Sequence, residues 1–82
     1  MMGAKRVLTS VKEVGRFREG DRVALAIPGF FFDYRAEMGD KGTVVARNGS
    51  IYADPLKRLV WVRWDKTRVE EGVYRSHLRI VG

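Results

Sequence analysis

The residues best suited to chemistry lie in two aromatic runs. The first is Leu59-Val60-Trp61-Val62-Arg63-Trp64, with Lys57 and Arg58 before it and Lys66 and Arg68 after it. Rings alternating with guanidinium groups suit nucleic acid: the rings stack on bases and the cations neutralise phosphates. The alternative is a Trp61 packed under the loop from Gly49 to Lys57, with the charges solvated. The second run is Phe30-Phe31-Phe32-Asp33-Tyr34. It reads either as an anchor for a protein partner or a stacking platform, or as the underside of a short helix over 33–38 that plugs one end of a small core. Alternation along an extended loop points Phe31 away from Phe30 and Phe32 and makes it the ring to expect at the surface.

Catalytic chemistry finds little support. The single histidine, His77, reads as a cap or surface residue, because a histidine base needs a nucleophile and an orienting partner. Ser76 is its neighbour in sequence and would point the other way on an extended chain. Glu70 and Glu71 are adjacent and diverge for the same reason. One histidine and no cysteine give no metal-ligand spacing and no disulfide framework. No glycine-rich phosphate cradle opens a helix. The expectation is a non-catalytic binding module with no cofactor and no metal.

The charge agrees with an anionic partner. Net charge is +6, and the sequence pI is about 10.2. Arginines number 11 and lysines 5, a bias toward the side chain that grips phosphate or carboxylate with two bonds. The basic residues spread over both halves of the chain, so they form no isolated tail. Nucleic acid is the leading partner. A protein partner with an acidic or hydrophobic surface, met through Phe30, Phe31, Phe32 and Tyr34, is the alternative. After Met1 to Arg6 there is no long apolar run, which predicts a soluble, cytoplasmic protein without a membrane span.

The elements that position these residues follow from periodicity. At 82 residues the chain suits one domain. Val7, Val11 and Val14 fit one face of a short turn, started by Ser10 and Glu13 and stopped by Gly15. Residues 1–16 are thus expected to be an N-terminal extension, partly frayed, before a domain over 17–82. Val23, Leu25 and Ile27 share one face of a first strand, fed by the Gly20-Asp21 turn and ended by Pro28-Gly29. Phe17 is placed to pack onto that face. A second strand covers Thr43 to Arg47, between Gly39–Gly42 and the Asn48-Gly49 turn. In the third, Leu59 to Trp64, Val60, Val62 and Trp64 face inward; Leu59, Trp61 and Arg63 face out. The connection Asp65–Arg68 leads to a fourth strand, Val69 to Tyr74, with Gly72 marking a bulge. A short turn at Ser76–Leu78 precedes a fifth strand, Arg79 to Val81. Val23, Leu25, Val44, Val60, Val62, Leu78 and Ile80 are predicted to share one core.

Five short strands, a long first loop and a tight distal hairpin resemble an SH3-like barrel. The pieces Lys41-Gly42-Thr43-Val44-Val45 and Val60-Trp61-Val62-Arg63-Trp64-Asp65 look like the mind-bomb-type repeat domain and the small accessory barrel on the stromal side of photosystem I. The opening Phe17-Arg18-Glu19-Gly20-Asp21-Arg22-Val23 is similar to KOW-type nucleic-acid-binding barrels and to the plasmid-borne type II dihydrofolate reductases. Those reductases carry a Val-Gln-Ile-Tyr segment on a late strand; Gly72-Val73-Tyr74-Arg75 lacks its glutamine and isoleucine. The resemblance rests on turn glycines and core valines. It implies a mainly β fold, a five-stranded SH3-like barrel with a long aromatic first loop and a short N-terminal extension, and it carries over no family's functional residues. The sequence also supplies rings for an aromatic cage around a methylated lysine or arginine, as in Tudor barrels, if three or four of them converge.

Overall fold

Alternating apolar and polar side chains build a single antiparallel sheet. The computed structural model describes residues 17–82. The expected extension over 1–16, with its capped turn, lies outside the described residues. Five strands, β1 (Arg22–Leu25), β2 (Lys41–Val44), β3 (Leu59–Trp64), β4 (Glu70–Tyr74) and β5 (Leu78–Ile80), run in the sheet order β4-β3-β2-β1-β5. The first four form a meander, and β5 returns to pair with β1. No pairing joins β4 to β5, so the sheet is not closed. Two one-turn 3-10 helices, Gly29–Phe32 and Arg75–His77, complete the regular structure among the described residues.

The inward face of the sheet is the core. Val23, Leu25, Val44, Val60, Val62, Trp64, Val73 and Leu78 are buried, with Phe17 and Ala36 closing the cluster. Trp64 anchors it. Its indole lies over β2 at Gly42, where a Cβ would sit 2.7 Å from the Arg63 carbonyl oxygen and 3.0 Å from the Trp64 ring. Glycine at 42 therefore serves close packing inside a strand. The Trp64 Nε1 donates to Glu71 Oε2 at 2.6 Å, which satisfies the polar edge of a buried ring.

Several expectations need correction. Ile80 is 44% exposed: it pairs with Val23 on the inner face, but at the end of an edge strand little covers it. Gly72 makes no bulge: it pairs directly with Trp61 in an unbroken register from Leu59↔Tyr74 to Arg63↔Glu70. β2 starts at Lys41 and stops at Val44, so Arg47 falls outside it. β1 is shorter than its apolar pattern, ending at Leu25, and β5 starts one residue before the expected Arg79.

Candidate nucleic-acid interface

Period two along β3 sends Leu59, Trp61 and Arg63 away from the core, toward the outer face of the sheet. Register then lines up Arg22, Thr43, Arg63 and Glu70 across four strands. Arg22 forms two hydrogen bonds to Asp65, 2.8 and 2.6 Å, and a third to Thr43 Oγ1 at 2.9 Å. Arg63 donates to Glu70 Oε2 through Nη2 at 2.8 Å and Nε at 3.1 Å. Arg47 Nε lies 3.8 Å from the other oxygen of the same carboxylate. The Arg22 hydrogen bonds hold the Asp65 carboxyl below its ordinary range against the opposing effect of burial, and the charges of Arg68 and Lys41 add to the shift. Five cations, Arg22, Lys41, Arg47, Arg63 and Arg68, thus surround two carboxylates, Asp65 and Glu70. The ion pairs order this face without cancelling its positive charge.

Beside it lies a concavity. The Asn48-Gly49 turn, with φ of 55° and 81°, reverses the chain so that Arg47 and Ser50 exchange backbone hydrogen bonds of 2.8 and 3.1 Å. The returning segment then pairs with the first half of β3: Trp61 N–H donates to the Ile51 carbonyl, and Ala53 N–H donates to that of Leu59, each at 2.8 Å. This sets the Arg47 guanidinium 4.4 Å from the centre of the Trp61 ring. It also leaves an open cleft of about 400 Å³ lined by Arg47, Asn48, Ser50, Tyr52, Ala53 and Trp61. At its edge, Lys57 Nζ sits 5.8 Å from the Tyr52 ring centre. Each of the two rings in the cleft therefore has a cation within about 6 Å of its centre, the range of a cation–π attraction.

The six basic and aromatic residues expected here occupy three places. Trp61 and Arg63 share the outer face of β3. Lys57 and Arg58 lie in the approach to that strand, where Asp54 gathers the chain: its carboxylate accepts the Arg58 and Leu59 amides at 2.7 and 2.8 Å and the Arg58 Nε at 3.1 Å. Burial works to raise the Asp54 carboxyl, but these bonds outweigh it and leave it below its ordinary value. Lys66 and Arg68 lie in the β3–β4 connection, with Lys66 Nζ 3.9 Å from Asp40. Lys57 and Arg68 share a rare backbone, left-handed with φ of 59° and 66°. The cleft residues Arg47, Asn48, Ser50 and Tyr52 were not expected. Their signal was the Asn48-Gly49 turn, which marks a chain reversal but not how far the connection folds back toward Trp61.

The aromatic run departs from the plug reading, and Phe31 is exposed as expected, though Phe30 and Phe32 are exposed with it. Pro28 leads into the 3-10 turn Gly29–Phe32, and Asp33 ends it in a left-handed conformation at φ 56°. No helix over 33–38 plugs the core; the buried residue of that stretch is Ala36. Phe30, Phe31 and Phe32 are 75, 66 and 48% exposed. The turn, not alternation along an extended loop, sets their directions. Phe30 and Phe31 pack on each other with ring centres 4.5 Å apart. Phe32 leans on His77 at 4.4 Å and on Tyr34 and Tyr74 at 5.7 and 6.0 Å.

Tyr34 ties this arm to the sheet. Its hydroxyl accepts the Tyr74 N–H at 3.1 Å and shares a hydrogen bond of 2.8 Å with His77 Nδ1. Burial raises the Tyr34 pKa, partly offset by the bond from Tyr74. A second tie is Glu71 Oε2, which accepts the Arg35 amide at 2.7 Å beside the Trp64 indole. Phe32, Tyr34, Tyr74 and His77 do converge, but they fill the space between them, so these four enclose no cage. Glu70 and Glu71 turn to opposite faces, as their adjacency requires. No cluster of three or more His, Asp or Glu side chains that could hold a metal ion occurs among the described residues. No helix among them is long and apolar enough to cross a membrane. No known family model matches this chain, and comparisons with curated proteins and with solved structures find no similar one.

Proposed function

We propose that this protein is a non-catalytic binding module that takes nucleic acid on the outer face of β3. The observation that carries the reading is the Trp61 site: a half-buried indole 4.4 Å from the Arg47 guanidinium, beside Arg63 on a face with five cations to two carboxylates. Rings supply stacking that any base can use, and the surplus cations supply phosphate neutralisation. An SH3-like barrel is the architecture we assign to residues 17–82. The four-strand meander, the return of β5 to β1 and the 3-10 turn just before β5 support it.

The test is a salt titration with labelled single- and double-stranded oligonucleotides. Binding weakens steeply with salt, since each neutralised phosphate releases a counterion. Neutralising Arg68 lowers the slope by about one. Neutralising Arg63 lowers it less, because Glu70 already holds that guanidinium. Absence of any complex at micromolar protein and low salt refutes the reading.

One observation favours a second reading, docking to a protein through Phe30, Phe31, Phe32 and Tyr34. Three adjacent phenylalanines between 48 and 75% exposed form an apolar patch of the kind that marks interfaces. In this reading Phe31→Ser melts like the parent protein and fails to capture the partner. A Phe31→Ser protein that retains every partner removes it.

A further inference from the structure

The cleft between the 47–53 segment and β3 has a shape that the flat outer face lacks. We infer that it receives one unpaired base of a single strand, an inference that rests on the nucleic-acid reading and gives it a substrate class. At about 400 Å³ the cleft lies near the small end of the range for ligand pockets, roughly 300–1,000 Å³. It can admit a base and has no room for a base pair still stacked in a duplex. Tyr52 and Trp61 form its aromatic walls, and both are half-buried, so only a base that has left its stack reaches them. The planar Arg47 guanidinium lies over the Trp61 ring, so on that side a base stacks on the guanidinium and Tyr52 supplies the open aromatic face.

Polar groups for a base edge are already in place. Ser50 Oγ accepts the Tyr52 N–H at 3.0 Å, so its own hydrogen is left to donate. Asn48 lines the cleft at the turn, where its amide offers two N–H donors and an acceptor oxygen. Lys57 at the Tyr52 edge places charge beside the cleft, where a phosphate flanking the inserted base would run; Arg63, farther along β3, is already held by Glu70 at 2.8 Å. Arg58 is less available, because Asp54 holds it at 3.1 Å.

The experiment uses the full chain and four probes of matched length: a mixed-sequence DNA strand, the same sequence as RNA, its DNA duplex, and a polyglutamate peptide. Anisotropy gives affinity, and quenching of the half-buried Trp61 indole reports the site, since Trp64 is fully buried. Single strands are expected to bind at least 10-fold tighter than duplex. Tyr52→Ala is expected to weaken single-strand binding roughly 5- to 150-fold, the range for loss of one stacked base, with little change for duplex. Asn48→Gly suits the left-handed backbone at that position. With Ser50→Ala it removes the edge contacts while keeping the fold, and the pair is expected to cost single-strand affinity several-fold. A difference between the DNA and RNA arms shows whether the ribose hydroxyl is read.

Equal binding of duplex and single strand, with Tyr52→Ala affecting both alike, overturns the inference and leaves the nucleic-acid reading standing. Polyglutamate that quenches Trp61 and competes as well as DNA overturns it in favour of an acidic peptide. No binding of any oligonucleotide removes both the inference and the reading beneath it.

Discussion

Arg68→Gly tests the backbone and the proposed interface with one substitution. Arg68 holds φ at 66° in the turn between β3 and β4, and its amide donates to the Trp64 carbonyl at 2.8 Å. Glycine keeps that bond. An L-residue in the left-handed region costs about 1–2 kcal/mol. Glycine removes that strain but loses about 0.5–1 kcal/mol through its greater freedom when unfolded. The balance is a gain of about 0.5–1 kcal/mol. The Arg68 side chain is exposed, and its attraction to Asp65 acts through screened solvent. In a domain of this size the gain raises Tm by roughly 2–8 °C.

Calorimetric or circular-dichroism melts at neutral pH measure the first effect, and oligonucleotide titrations at several salt concentrations measure the second. The expected result is a protein that is more stable and yet has a salt slope lower by about one. A Tm several degrees lower would show that the Arg68 side chain stabilises the fold in a way its geometry does not explain. An unchanged slope would take Arg68 out of the interface. Stability and binding moving in opposite directions is a result that general damage to the fold cannot imitate.

Tyr34→Phe leaves the partly buried Tyr74 N–H without its acceptor and should cost about 1–3 kcal/mol, read from urea unfolding. Phe31→Ser should shift Tm little, because Phe31 is 66% exposed and its ring contact is with the still more exposed Phe30; Phe32→Ala, which strips the ring lying on His77, Tyr34 and Tyr74, should lower it clearly. Gly42→Ala should cost about 1–3 kcal/mol, the usual range for overpacking a full core, since its Cβ would meet Val62 and the Arg63 carbonyl below 3 Å. Asp54 and Asp65 have depressed pKa values in the fold, so as pH falls the unfolded chain takes up protons first. Their stabilisation is complete above about pH 5, where unfolded carboxyls near 3.9 are already ionised, and is lost as pH falls through the lower folded values. Asp54→Asn should flatten that acid limb in melts at stepped pH.

The strands were legible because their information is local. Leu59 to Trp64 alternates without interruption, and the strand follows that alternation to the residue. The Asn48-Gly49 and Asp65–Arg68 turns were legible from residue type. What lay outside the sequence was three-dimensional. Ile80 fits the apolar alternation but sits on an edge strand with little to cover it. Gly72 looked like a bulge because glycine is rare within strands, yet it holds register opposite Trp61. The outward placement of Trp61 and Arg63 could be read from parity. Arg47 above Trp61 could not, since it depends on how far a long connection folds back before it meets β3. The Phe30–Phe32 directions were misread for a related reason: extended-chain alternation was applied to a segment that closes into a 3-10 turn.

That turn bears on what the three phenylalanines do. A flexible loop would let its rings collapse onto the nearest apolar surface, and exposure would then mean little. This arm is held at many points. Gly29 packs so closely against Ala36 that a Cβ would collide with the Ala36 carbonyl oxygen. The Tyr34 N–H returns to the Gly29 carbonyl at 3.0 Å, Glu71 fixes the Arg35 amide, and the far end is closed by Gly39 and Asp40 bonding to Leu25 at 2.8 and 2.9 Å. Ala36 already fills the place beneath. Phe30 and Phe31 therefore cannot turn inward without breaking the ties that order residues 29–40. Burying them requires a surface from outside residues 17–82. The cleft at Trp61 is a different feature, a recess whose two rings, Tyr52 and Trp61, are half-buried and whose lining includes Asn48 and Ser50. In the two proposed readings, the exposed rings meet a broad apolar partner and the recess of about 400 Å³ takes a single base. The two surfaces thus call for different ligands, and substitutions in one should leave binding at the other unchanged if no residue is shared between them.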